Sequence, residues 1–278
     1  MAAGSGEAGR RRQRSKRSIL RRRREKKNAA SSMSMMEHLT ELRSRLIFSA
    51  VAFLVVSVVA FIFFNQISDF LLRPLCSLPK DNLGPNGCRL IFTGAMEPVT
   101  VRLKVTAMVG IVAASPIWLY QVWAFIVPGL HPKEKKYAFP FVFVSVFLFL
   151  MGAVFAYVTL PSALRFLVGF GGDNLIPFFS ANEYLSFIGL IVLVFGVTFE
   201  APLFLFFLGL VGVVTVPQLR RFRRSAIVGI TIIAAVVTPS QDPYTMLAMA
   251  VPLYLFYEGT ILALTLVDKR RAKRKGTP

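Results

Sequence analysis

The sequence predicts an all-α integral membrane protein: six transmembrane helices, the last two short, with both termini cytoplasmic. Three observations predict it. The 278 residues are 55% hydrophobic, with a mean hydropathy of +0.60. Their apolar residues gather into long runs with few charges, as in a membrane protein and not a soluble domain. The net charge of +19 is concentrated outside those runs, which points to membrane topology before nucleic acid.

Taken in order, residues 1–33 form a basic arm containing "RRRQRSKRSILRRRREKK". Its low complexity predicts disorder, and its charge predicts contact with anionic lipid; no nucleic-acid partner is expected. It is too polar for the apolar core of a signal peptide. Ser34 and Glu37 have capping-box spacing, so a helix starts there and runs amphipathically through "MMEHLTELRSRL" into the first span. Within it Glu41 and Arg45 stand at i, i+4, a pair worth about 0.3–0.5 kcal/mol when exposed.

The membrane domain, 34–267, holds apolar segments at 46–64, 105–127, 137–160, 184–216, 225–238 and 246–267. The first four are long enough, since about 20 apolar residues cross a bilayer core. The fifth makes only about 21 Å of helix against a core of about 30 Å, and Glu258 interrupts the sixth. A re-entrant hairpin is the alternative for this last pair. A basic tail, 268–278, follows.

Six spans place 27 of the 33 Lys and Arg residues on the side of the termini and six on the other. The positive-inside rule therefore makes the termini cytoplasmic and the loops at 65–104 and 161–183 extracytoplasmic. Cys76 and Cys88 both fall in the first of these loops, in a compartment that permits disulfides. Pro79, Gly84, Pro85 and Gly87 let the chain turn back between them, so a bridge is expected; two free thiols are the alternative.

No catalytic apparatus is visible. His38 and His131 are far apart, no Cys/His set has metal-ligand spacing, and there is no glycine-rich phosphate loop or nucleophile elbow. No enzyme activity, metal or cofactor is expected. The charge that calls for explanation is Glu200, in "VLVFGVTFEAPLFLFFLGL" at 192–210. No other charged residue lies between Glu183 and Arg220. An ionised acid at the bilayer centre costs about 2.5–3.5 kcal/mol on insertion scales. Structurally it calls for a hydroxyl such as Thr198 or a carbonyl loosened near Pro202. Functionally it fits an ion site of a secondary transporter or channel, the alternative reading of the whole chain.

Four stretches change the balance: "HLTELRSRL" in 35–46, "SPIWLYQVWAFIVPGLHPKEKKY" at 115–137, "FGVTFEAPLFLF" at 195–206 and "TPSQDPYTMLAMAVPLYLFYE" at 238–258. In this order they resemble TatC, the multispanning subunit of the twin-arginine protein translocase, over about residues 35–266. The resemblance implies a receptor and scaffold in the cell membrane. It would bind signal peptides carrying paired arginines, associate with TatA- and TatB-type single-span proteins and with other TatC copies, and support export of folded proteins driven by the proton-motive force.

By motif position it implies that Glu41, Arg43, Phe125 and Glu134 contact the signal, and that Glu200 is an intramembrane docking point. It places Pro74, taken to end an extension of the first span, and Asp242 in the extracytoplasmic partner region. A carboxylate pairs bidentately with the planar arginine fork but meets lysine only as a point charge. Glu134 also suits the first turn of the third span, where an acid complements the helix dipole. Thr245 and Met246 stand where the family commonly has serine and glutamine. Pro116, Pro161, Pro202 and Pro252 should bend or end helices, which the resemblance ties to a concave wall open to lipid.

Overall fold

The computed structural model describes residues 35–79, 87–126, 138–169, 179–237 and 243–275. Among them it forms nine helices and no strand beyond one isolated bridge. These are α1 Met35–Ile62, α2 Phe64–Cys76, α3 Glu97–Ala113, α4 Ser115–Ile126, α5 Ala138–Gly169, α6 Ala181–Val211, α7 Val216–Arg221, α8 Arg223–Val237 and α9 Pro243–Lys275. The chain divides into two units, Met1–Phe48 and Ser49–Pro278. The described part of the first is the start of α1; the second contains the bundle.

Four helical stretches are long and apolar enough to cross a membrane: Leu39–Ile62, Pro140–Gly169, Ala181–Val211 and Thr245–Arg270. The pair α3 and α4, bent by 54°, makes a fifth when taken as one broken span. The all-α membrane architecture is as expected, but the sixth crossing rests on α8. Its 15 residues span only about 22 Å.

The last segment, expected to be short, is not: its membrane-length stretch of helix, Thr245–Arg270, has 26 residues. Glu258 does not interrupt it, because Arg223 Nη2 lies 2.7 Å from Glu258 Oε2 and the Tyr254 hydroxyl donates to Oε1 at 3.1 Å. With its charge paired, the acid is carried inside the helix.

The centre of the second unit is the crossing of α5 and α6. In lipid, helices associate by close packing of small residues, because the solvent is as apolar as the side chains. Gly152 and Gly196 make that approach: a Cβ on Gly152 would lie 2.7 Å from the Phe195 carbonyl oxygen, and one on Gly196 would lie 2.7 Å from Phe149 Cε2. Phe149 and Phe199, beside the glycines, are fully buried. Gly189 admits Met108 of α3 to α6, and Gly209 admits Leu264 of α9.

The prolines behave unequally. Pro161, Pro202 and Pro252 lie within continuous helices; only Pro116 accompanies a break, at Ala114. Pro74 does not end its helix either, since α2 continues to Cys76. Its missing N–H would have bonded the Phe70 carbonyl. The Tyr157 hydroxyl takes that place, donating to the Phe70 oxygen at 2.7 Å while its ring stacks on Phe70 at 4.5 Å.

Candidate functional site

Glu200 sits on α6, one turn beyond Gly196, and is half-buried. Its Oε2 accepts from Ser145 Oγ of α5 at 2.7 Å. Ser145 in turn accepts from Trp123 Nε1 of α4 at 2.9 Å. Glu200 Oε1 is buried and has no hydrogen-bond partner among the described residues. The expected partners serve elsewhere. Thr198 turns back to donate to the Val194 carbonyl at 2.7 Å, and the Pro202 carbonyl accepts from Thr260 at 3.2 Å. A threonine hydroxyl reaches its own helix more readily than a neighbour two residues on, so the one hydrogen bond to the acid comes from another helix.

Of the signal-contact candidates, Glu41 and Arg43 lie on α1. Arg45 donates to Glu41 Oε1 through Nε at 3.0 Å and Nη2 at 2.5 Å. The i, i+4 pair therefore forms, yet it occupies one oxygen only; Oε2 is buried without a hydrogen-bond partner among the described residues. Arg43 is exposed and Phe125, on α4, is half-buried. Glu134 and Asp242 lie outside the described residues. Thr245 is buried and Met246 packs against the core, so the departure from the family pattern brings apolar packing there.

Pro74 is buried beside Leu75 at the end of α2. There the structure joins Cys76 to Cys88 in a disulfide with Cα atoms 5.0 Å apart. Beyond it Ile91 bridges to Ser180, with Ile91 N donating to Phe179 O at 3.0 Å and Ala181 N to Ile91 O at 2.9 Å.

Sequence reasoning missed the residue that organises this cap, Glu97. One oxygen accepts from the Thr93 amide, the Thr93 hydroxyl at 2.9 Å and the Gly94 amide at 3.2 Å. The other accepts from the Ser180 hydroxyl at 2.8 Å and the Asn182 amide at 2.9 Å. The acid thus clamps the start of α3 to the start of α6. An acid followed by proline at the head of a helix was the available signal, but its long-range partners were not visible.

Glu97 precedes the apolar run that begins at 105. The Asn182 and Thr93 amides hold its carboxyl at about 2, down from 4.5. A depressed value means the stabilisation is present above the ordinary value and is lost as pH falls through the lowered one. The Asn182 amide resonance should therefore stay fixed through 4.5 and move only as pH nears about 2. In Glu97→Gln it should not titrate. A midpoint near 4.5 in the parent would show that the clamp is not made.

Other polar contacts went unread as well: Trp123 and Ser145 carried no signal in the sequence, and Glu258 read as an interruption. No group of three or more His, Cys, Asp or Glu that could hold a metal occurs among the described residues.

Comparison with known proteins adds a family. A family model described as Sec-independent protein translocase protein (TatC) matches residues 37–252. The chain is 45% identical over 253 residues to the Sec-independent protein translocase protein TatC of Frankia casuarinae, covering 89% of this chain and 70% of that one. It is 40% identical over 243 residues to the TatC of Aquifex aeolicus, covering 86% and 98%. A crystal structure of a twin-arginine translocase receptor TatC superposes with a TM-score of 0.68 at 40% identity, over 82% of this chain and 99% of that one.

Proposed function

The chain belongs to the TatC family of Sec-independent protein translocase proteins, and on that premise we propose that it is the receptor and scaffold of a twin-arginine translocase. It is a multi-pass membrane protein acting in protein transport. In this reading both termini face the cytoplasm, and the arm at 1–33 and the tail at 268–278 lie against anionic lipid. TatA- and TatB-type single-span proteins and further copies of the chain assemble around the membrane domain. Folded cargo is exported at the expense of the proton-motive force, with no chemistry performed by this subunit.

The likeness to a twin-arginine translocase receptor, at 40% identity over nearly the whole of that chain, carries the reading. The site chemistry supports it. Among the described residues Arg45 holds one carboxylate oxygen of Glu41, and the other, buried, has no hydrogen-bond partner. Once uncovered, that oxygen can pair with an arriving guanidinium while Arg45 keeps its own. Glu134, in "HPKEKKY", supplies the second acid for the second arginine of the pair. Arg43 and Phe125 border the bound signal. Glu200 docks an apolar helix within the membrane, and Pro74 and Asp242 belong to the partner region at the extracytoplasmic end.

Binding of a photoreactive twin-arginine signal peptide to the reconstituted protein tests this. Glu41→Ala and Glu134→Ala should each weaken site-specific crosslinking about 10- to 100-fold, the cost of a lost bond to a charged group. Glu134→Lys should be worse, since it adds repulsion. A twin-lysine peptide should bind the parent as weakly as the twin-arginine peptide binds the variants. Undiminished crosslinking in the double alanine variant would remove these two residues from the site.

A further inference from the structure

Threonine hydroxyls inside these helices share one habit, whereas those of Ser57, Ser115 and Ser186 are buried without a hydrogen-bond partner among the described residues. Thr106, Thr159, Thr198, Thr231, Thr260 and Thr265 all donate to a backbone carbonyl three or four residues back in their own helix. That is the ordinary fate of a hydroxyl on an apolar helix, where no water competes. Ser145 departs from it. It is completely buried, and its only hydrogen bonds among the described residues are those with Trp123 and Glu200. Its proton has left its own helix for the acid of another.

The direction of these bonds follows from donor chemistry. An indole N–H donates and cannot accept, so Ser145 Oγ receives the proton of Trp123. A hydroxyl has one proton of its own to give, and the acceptor within reach is Glu200 Oε2 at 2.7 Å. Oε2 is therefore an acceptor whether or not the carboxyl carries a proton, and any proton the acid holds lies on Oε1. That oxygen is buried and has no hydrogen-bond partner among the described residues. The side chain is held by one oxygen and leaves the other unpaired.

We propose that Trp123 and Ser145 are positioning residues for Glu200, forming a one-way relay across α4, α5 and α6 that reserves Oε1 for the polar group of an arriving membrane helix. The inference rests on the reading of Glu200 as a docking point and adds how the acid is aimed. Without the relay the carboxyl rotates between its two oxygens and can turn back toward its own helix. With it, one oxygen is held in place and the other stays unpaired for the polar group of an incoming helix, which must part the side chains that cover it. Trp123 also anchors α4, since its ring packs on Phe141 of α5 and Phe207 of α6 at 5.1 and 5.5 Å. The exposed residues Val197 and Phe204 flank the acid on α6, placing it on a face that another helix can reach.

Two measurements test this. The chain has two tryptophans, and the other, Trp118, donates to the Ile111 carbonyl. In protein carrying isotope-labelled tryptophan, Ser145→Ala and Glu200→Ala should both move the Trp123 indole N–H resonance and leave that of Trp118 in place. For docking, a photoreactive residue replaces Val197 and a TatA-type single-span protein is co-reconstituted in vesicles. Glu200→Ala, Ser145→Ala and Trp123→Phe should each lower crosslinking about 3- to 30-fold, the range of one interhelical hydrogen bond in lipid. Ser145→Ala is close to isosteric, so its result stands if Trp123→Phe proves unstable.

An unmoved Trp123 resonance in Glu200→Ala overturns the relay. So does parental crosslinking in Ser145→Ala while Glu200→Ala is impaired, an outcome that leaves docking at Glu200 standing. Parental crosslinking in Glu200→Ala removes the docking role itself, and with it the purpose assigned to the relay.

Discussion

Gly152→Ala is expected to break the α5–α6 crossing and leave little correctly assembled protein in the membrane. The added Cβ would meet the Phe195 carbonyl oxygen at 2.7 Å, Phe199 Cγ at 3.0 Å and Gly196 Cα at 3.1 Å. Two of these three obstacles are backbone, so no rotamer change relieves the contact and the helices must separate. Overpacking of this kind costs about 1–3 kcal/mol. It falls on the interface that also carries the Ser145–Glu200 bond, so separation would lengthen that bond as well.

Gly259 is the control, because nothing lies within 4 Å of a Cβ placed there. Gly259→Ala should be neutral or slightly stabilising, since alanine favours a helix over glycine by up to about 1 kcal/mol. The check is the thermal midpoint in detergent, together with the amount of protein recovered from membranes. A Gly152→Ala protein as stable as the Gly259→Ala control would mean that the crossing is looser than described.

Removing the Cys76–Cys88 bridge by double serine substitution should be comparably costly to the cap. The bridge joins positions 12 apart in sequence, and on a chain-entropy account closing such a loop contributes about 3 kcal/mol. The bridge holds the end of α2 near Ile91, whose pairing with Ser180 leads into the Glu97 clamp. Amide exchange at Ile91 and Ala181 should quicken in the variant, while the proposed signal-peptide binding should persist. Maleimide labelling of unreduced, denatured parent should find no free thiol. Full labelling of both cysteines would exclude the bridge, and unchanged exchange in the serine variant would separate it from cap order.

Glu200 and Glu97 show how differently two acids can be read from one chain. Glu200 was conspicuous, because a charge in an apolar run is costly enough to demand a reason. Its partner was not, because Ser145 is 55 residues away and resembles any small residue of a span. Glu97 drew no notice, since an acid heading a helix is ordinary, yet it makes five hydrogen bonds to two separate segments. Pro74 was read as a stop because the sequence shows the lost N–H; the Tyr157 hydroxyl that compensates for it lies 87 residues further on.

The sequence alone determined the solvent and the class of fold. Hydropathy and the segregation of basic residues are one-dimensional signals, and a bilayer sorts a chain along one axis. The motifs around Glu41, Phe125, Glu200 and 238–258 pointed to the family by their order alone. The tertiary structure decided which helices touch and which polar atoms meet. In a soluble helix the apolar stripe reveals the face that packs. In lipid every face is apolar, so the choice falls to close contacts such as Gly152 with Gly196. It falls as well to a few hydrogen bonds whose partners come together only when those helices pack.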